Sequence, residues 1–153
     1  MSKSGMTATP QDHTPESALI LLVDDDPSVR FVLQQVLHYH GYQVEAVATI
    51  EEAEKIKRRL GPEAIGVVVA DIHLTTNPRF HEGYTMYEHW TRLHPTLPFL
   101  LISGVVSSQR LPAVRTGAVA FLSKPFVIEE FLEILQQLLK TQNDRILRHE
   151  EIT

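Results

Sequence analysis

The chain has 153 residues, a formal net charge of −5, 43% apolar and 22% charged residues, and no cysteine. That length suits one domain that buries roughly two-thirds of its unfolded surface. The acidic balance offers nothing to nucleic acid or an anionic membrane, and the missing thiols exclude disulfides, zinc–thiolate sites and thiol catalysis.

Residues 1–17 are rich in Ser, Thr, Pro and Gly without periodicity, and read as a disordered leader. Ala18 to Val23 is wholly apolar, a strand buried on both faces. Asp24-Asp25-Asp26 follows it directly. Carboxylates crowded at a buried strand end disfavour one another's ionisation. Either one stays protonated or a cation sits there, and hard oxygen ligands suit Mg²⁺ or Ca²⁺. Asp26-Pro27 reads as an N-cap with Pro at the first helical position, which explains Asp26 alone. The first helix runs from Pro27 to about Tyr39, with Val29, Val32, Leu33, Val36 and Leu37 on one face and Gly41 as its C′ residue.

Tyr42 to Val47 alternates, as a strand with one less buried face does. Thr49-Ile50-Glu51-Glu52 is a capping box that opens a second helix, which ends at Gly61-Pro62. Ala64 to Ala70 is a second fully buried strand, followed by Asp71. A loop of about 71–82 leads to a third helix from Gly83 to about His94, with Met86, Tyr87, Trp90 and Leu93 as its apolar stripe. Leu97 to Ile102 is another buried strand, ending in Ser103-Gly104. A short helix is expected over about 107–116. Val119 to Leu122 is the last strand, ending in Ser123-Lys124-Pro125. The last helix starts near Val127, turns Ile128, Phe131, Leu132, Leu135 and Leu139 inward, and continues as an amphipathic tail through Ile146. The eight histidines show no metal-ligand spacing. No apolar run reaches transmembrane length and no signal-peptide core follows Met1, so the expected compartment is the cytoplasm.

Strands alternating with helices imply an α/β fold with a parallel sheet covered on both faces and right-handed crossovers. Ligands of such sheets bind beyond the carboxyl ends of the strands. Those ends deliver Asp24 and Asp25, Asp71, Ser103 and Lys124 to one edge. The set has a chemical sense. Carboxylates can hold Mg²⁺ against a phosphoryl group, one carboxylate can become an aspartyl-phosphate, and the amine and hydroxyl can take the remaining phosphoryl oxygens.

Four motifs lie in order along the chain. They are Leu21-Leu22-Val23-Asp24-Asp25-Asp26-Pro27, Val68-Val69-Ala70-Asp71-Ile72-His73-Leu74, Leu100-Leu101-Ile102-Ser103-Gly104 and Phe121-Leu122-Ser123-Lys124-Pro125-Phe126. Through them the chain resembles the receiver domain of two-component response regulators, of the chemotaxis-regulator-like kind, over about 18–140. The resemblance implies a (βα)₅ flavodoxin-like, doubly wound five-stranded sheet of order 2-1-3-4-5, followed by a helical extension or tail over 141–153. It implies Asp71 as phosphoacceptor and a Mg²⁺ (or Mn²⁺) ion held by Asp25 directly, Asp24 largely through water, Asp71, and the backbone carbonyl of His73. Lys124 matches the family's lysine, Ser103 its switch hydroxyl, Phe121 its switch aromatic, and Pro125 its cis-peptide position.

The implied function is a phosphorylation-dependent switch rather than an enzyme, with only self-phosphorylation and autodephosphorylation chemistry. A histidine kinase or histidine phosphotransfer protein would charge Asp71. The face made by helix 4, strand 5 and helix 5 would then control a downstream partner, an output domain or a homodimer, with no direct contact to nucleic acid or membrane. One departure stands out. Thr75 to Glu82 adds about four residues to the loop before Gly83, which loop-closure entropy tolerates at a cost of tenths of a kcal/mol. That loop either is a neutral insertion or gates Asp71, and His73 and Val105 occupy positions that tune phosphoryl lifetime. Two other readings compete. A haloacid-dehalogenase-type phosphatase would use Asp24 as nucleophile and Asp26 as acid, leaving Asp71 idle. A receiver-like interaction module would never be phosphorylated.

Overall fold

The computed structural model describes residues 19–73, 82–104 and 119–152, with side chains as far as Lys140. Five strands form one sheet: β1 (Leu19–Val23), β2 (Gln43–Val47), β3 (Ile65–Asp71), β4 (Phe99–Ser103) and β5 (Val119–Ser123). Every neighbouring pair is parallel and the spatial order is β2-β1-β3-β4-β5. This is the doubly wound order 2-1-3-4-5 expected from the resemblance. The helices are α1 (Pro27–Tyr39), α2 (Ile50–Leu60), α3 (Glu82–Leu93) and a C-terminal helix (Ile128–Ile152). A 3₁₀ turn over Pro62–Ala64 takes the first residue assigned to the third strand.

The two faces of the sheet build two separate cores, because successive side chains of a strand point to opposite sides. Ile20, Leu22, Val67, Val69, Leu100 and Ile102 face Leu33 and Leu37 of α1 and Phe131 and Leu135 of the C-terminal helix. Leu21, Val23, Val68, Ala70 and Leu101 face Ala53 of α2 and Met86, Tyr87 and Trp90 of α3. Strands β1, β3 and β4 are therefore buried throughout, while the edge strand β2 is half-covered. The indole of Trp90 donates to Glu54 Oε2 at 2.6 Å, and Lys57 Nζ lies 4.5 Å from its ring centre, which joins α3 to α2.

The helix boundaries follow from capping. Asp26 accepts from the N–H groups of Ser28 and Val29, and Pro27 occupies the first turn. Gly41 adopts φ +89°, and Tyr42 N–H then returns to the Leu37 carbonyl at 3.0 Å, closing α1. Thr49 Oγ1 accepts from Glu52 N–H, whereas Glu52 reaches back to Ala48 N–H rather than to the cap residue itself.

Two inward assignments are corrected. Val32 on α1 is 51% exposed and Leu93 on α3 is 56% exposed. Both belong to an apolar stripe wider than the strip of helix that touches the sheet. The C-terminal helix starts at Ile128, and Leu138 joins its buried stripe. The expected leader, residues 75–81 of the expected loop, Val105 and the short helix over 107–116 lie outside the described residues, as do the side chains of the 141–153 extension, while Glu82, assigned to that loop, is the first residue of α3.

Candidate functional site

The chain leaves β1 toward β2 on one side of the sheet and returns to β3 on the other. The crevice beyond the carboxyl ends of β1 and β3 is thus the topological switch point. The register makes these ends level: Val23 pairs with Val47 and Ala70, Asp71 with Ile102, and Ser103 with Ser123. Asp24, Asp71, Ser103 and Lys124 each stand at or just past these paired ends.

Asp71 is nearly buried, and both its carboxylate oxygens are held. Oδ1 accepts from the His73 N–H at 2.8 Å, and Oδ2 from Lys124 Nζ at 2.9 Å. Burial alone would pull the Lys124 ammonium down. The hydrogen bond and charge of Asp71, with the charges of Asp24 and Asp26, outweigh that and raise it, so the lysine stays protonated. Lys124 N–H also donates to the Ser103 carbonyl at 2.7 Å, which ties the β5 end to the β4 end. Ser103 is buried, and Phe121, two residues before the β5 end, is 41% exposed. The Lys124–Pro125 peptide is cis, as the resemblance implies.

Asp24 is buried and its N–H continues the sheet onto the Val47 carbonyl at 3.0 Å. Burial pushes its carboxyl from 3.8 up to about 6, the Asp26 N–H at 2.9 Å opposes this, and the Asp71 charge adds to it. Asp25 is half-buried, and burial and then the Asp71 charge raise it too. Three carboxylates thus crowd one ammonium, an excess of negative charge that a divalent cation would relieve. Among the described residues no three His, Cys, Asp or Glu side chains converge enough to chelate an ion by themselves. Mg²⁺ keeps several waters and takes only one or two carboxylates beside a phosphate, and the hard carboxylate oxygens of Asp24 and Asp25 are of the kind it takes.

Two residues of this edge were not read from the sequence as site residues. Gly83 N–H donates to the Ile72 carbonyl at 2.9 Å, and a Cβ on Gly83 would collide with the Asp71 carbonyl oxygen. The start of α3 therefore seats directly on the chain just after Asp71, closer than any side chain allows. Its signal was a Gly at the opening of a helix, where Ser, Thr, Asp or Asn is the usual choice. Arg30 Nη1 donates to the Asp24 carbonyl at 2.7 Å. Its signal was a cation in the first half of a helix, against the dipole. Asp26, cast as the acid in the phosphatase reading, is exposed and occupied by its cap hydrogen bonds.

Beside Lys124 a groove of about 650 Å³ runs between α1 and the start of the C-terminal helix. Val29, Val32 and Leu33 line one wall, and Gly104, Lys124 and Phe126 the other.

The profile of the response regulator receiver domain matches residues 20–136. Sensor kinase CckA of Brucella abortus (strain 2308) is 31% identical over 130 residues, covering 83% of this chain and 13% of the kinase. Regulatory protein VirG of Rhizobium radiobacter is 30% identical over 125 residues, 80% of this chain and 44% of VirG. The chain therefore spans less than half the length of either relative. The non-phosphorylated HemR receiver domain from Leptospira biflexa superposes with a TM-score of 0.67 at 34% identity, over 80% of this chain and 94% of that one. The chain belongs to the response regulator receiver domain family. No helix among the described residues is long and apolar enough to cross a membrane.

Proposed function

We propose that this chain is a cytoplasmic phosphorylation-dependent switch in which Asp71 accepts a phosphoryl group from a histidine kinase or histidine phosphotransfer protein. The observation that carries the reading is the grip on Asp71: His73 N–H on one carboxylate oxygen and Lys124 Nζ on the other, at the switch point of the sheet. An oriented carboxylate beside a fixed cation is a nucleophile with its charge partner already in place.

In the proposed step an Asp71 oxygen attacks phosphorus, the donor's P–N bond breaks, and its electron pair stays on the imidazole nitrogen. Asp25, Asp24, Asp71 and the His73 carbonyl are the groups that would hold Mg²⁺ or Mn²⁺. The ion when bound supplies countercharge to the transferring phosphoryl oxygens. Lys124 then contacts one phosphoryl oxygen and the Ser103 hydroxyl another. Phe121, now partly exposed, turns into the space that Ser103 leaves. Attack of water on the aspartyl-phosphate releases inorganic phosphate and resets the switch.

A shift from 1:99 to 99:1 takes about 5.5 kcal/mol of differential stabilisation. Charge-assisted hydrogen bonds contribute roughly 1.5–3 kcal/mol each, so two or three new ones suffice. The output is read by a partner, an output domain or a second copy at β5, the C-terminal helix and the segment over 107–116. The unit that switches is 18–140, with 1–17 as leader and 141–153 as extension. The groove beside Lys124 is the face that a phosphohistidine-bearing protein covers, because it is apolar and its lining includes Lys124, whose amine holds Asp71.

Incubation with Mg²⁺ and acetyl phosphate, followed by intact mass, tests the reading. Wild type gains one phosphoryl group and Asp71→Asn gains none. Label that persists in Asp71→Asn but disappears in Asp24→Asn would transfer the nucleophile to Asp24 and favour the phosphatase. A wild type that never labels would favour the interaction module.

A further inference from the structure

Asp24 is fixed at three points. Its N–H lies on the Val47 carbonyl, its Oδ1 takes the Asp26 N–H, and its carbonyl takes Arg30 Nη1 at 2.7 Å. The first two are local consequences of the sheet and the turn. The third comes from a half-buried side chain six residues on, in α1. Helix stability does not account for an arginine there. Cations are disfavoured near a helix N-terminus, no residue of the first turn of α1 is acidic, and the N-cap carboxylate of Asp26 is taken up by the Ser28 and Val29 N–H groups.

The peptide that Arg30 grips explains its placement. That carbonyl belongs to the planar unit joining Asp24 to Asp25, and a planar unit moves as one body. Its other end is the Asp25 N–H, so the plane leads directly into the Cα that carries the Asp25 carboxylate. Turning the plane would therefore swing the Asp25 carboxylate away from the crevice. We propose that Arg30 is a positioning residue: it locks the Asp24–Asp25 peptide so that Asp25 presents its carboxylate, together with Asp24, to a divalent cation. This inference rests on the reading of Asp24 and Asp25 as the cation-holding pair.

Electrostatics and positioning predict opposite signs, which makes the idea testable. Arg30→Met deletes a positive charge beside the cation site, and Coulomb attraction alone would then tighten Mg²⁺ binding. Loss of the lock weakens it by about tenfold, the lower end of what supporting contacts of metal ligands contribute. Arg30→Lys retains the charge and a donor of similar reach, and stays within about threefold of wild type. Arg59→Met removes the same charge from an exposed pair with Glu45 on the β2 edge, and leaves Mg²⁺ binding unchanged. Isothermal titration with Mg²⁺ alone, well below the melting temperature, reads all four proteins. Circular dichroism confirms the folded state, and Arg30→Gln carries the same expectation as Met should Met not fold. Weaker binding in Met or Gln with recovery in Lys supports the inference. Binding as tight as wild type, or tighter, in a folded Met or Gln variant overturns it. A wild type that binds no Mg²⁺ overturns the parent reading as well, so the two failures are distinguishable.

Discussion

Val23 and Asp24 are adjacent in the chain and almost equally buried, at 0% and 1% exposure. Burial stabilises the first and strains the second. The side chains of β1 exchange water for packed neighbours on both sheet faces, worth roughly 25 cal/mol for each Å² of apolar surface covered. One residue later the same seclusion pushes a carboxyl up to about 6. The sheet interior is where residues are chosen for volume. Its carboxyl edge is where polar groups are held by particular partners: Asp24 by Asp26 and Arg30, and Asp71 by His73 and Lys124. A stable interior is what holds such an edge together against its own charge.

The largest expected effect breaks the interior. Leu100→Ala, at a fully buried position of β4, should destabilise by about 2–5 kcal/mol in urea unfolding, because the packed strand cannot collapse onto the void. A loss under about 1 kcal/mol would mean that the sheet is more plastic than its packing indicates.

The next tests the edge and has the opposite sign. The Asp24 carboxyl titrates near 6 when folded and near 3.8 when unfolded, so between these values the folded chain holds more protons. Stability then falls as pH rises through that window, and the full cost stands above about pH 6. Asp24→Asn keeps an oxygen for the Asp26 N–H and removes the cost. In EDTA at pH 7.5 it should stabilise by about 1–3 kcal/mol, and below pH 4 by almost nothing. An equal gain at both pH values would show that ionisation of Asp24 is not what strains the edge. Added Mg²⁺ should narrow the gap at pH 7.5 by stabilising wild type more than the variant.

The smallest effect on stability is expected at the groove. Val32→Asp replaces an exposed side chain and should shift stability by no more than about 0.5 kcal/mol. Phosphorylation by acetyl phosphate should be unaffected, while transfer from a phosphohistidine protein slows at least tenfold. Equal slowing with both donors would place the damage in the site rather than in docking.

Much of this was legible because apolar runs and their punctuation are local signals. The strand ends, both caps of α1 and the Thr49 box follow from residues within four positions of each other, and the structure moved their limits by one or two residues. The gathering of Asp24, Asp71 and Lys124 at one edge was legible too, since a parallel sheet sends every strand's carboxyl end the same way. Arg30 and Gly83 were not seen as site residues, because what defines them is a contact and not a pattern. A guanidinium reaching a carbonyl, or a hydrogen where no Cβ fits, leaves only an odd residue choice in the string. Val32 and Leu93 show the converse, with periodicity that marks an apolar stripe but not how much of it the sheet covers.

By itself, then, the sequence determined the strands, the helices and the residue types at the carboxyl edge, because backbone propensity and hydrophobic period act over a few residues. Only the tertiary structure decided which groups touch. It realised the β2-β1-β3-β4-β5 order that the resemblance had implied, and it set the register that levels the walls of the crevice and the bond from Lys124 to Asp71. Those depend on packing between elements far apart in the chain. There a shift of a few tenths of an ångström separates a hydrogen bond from a vacant space.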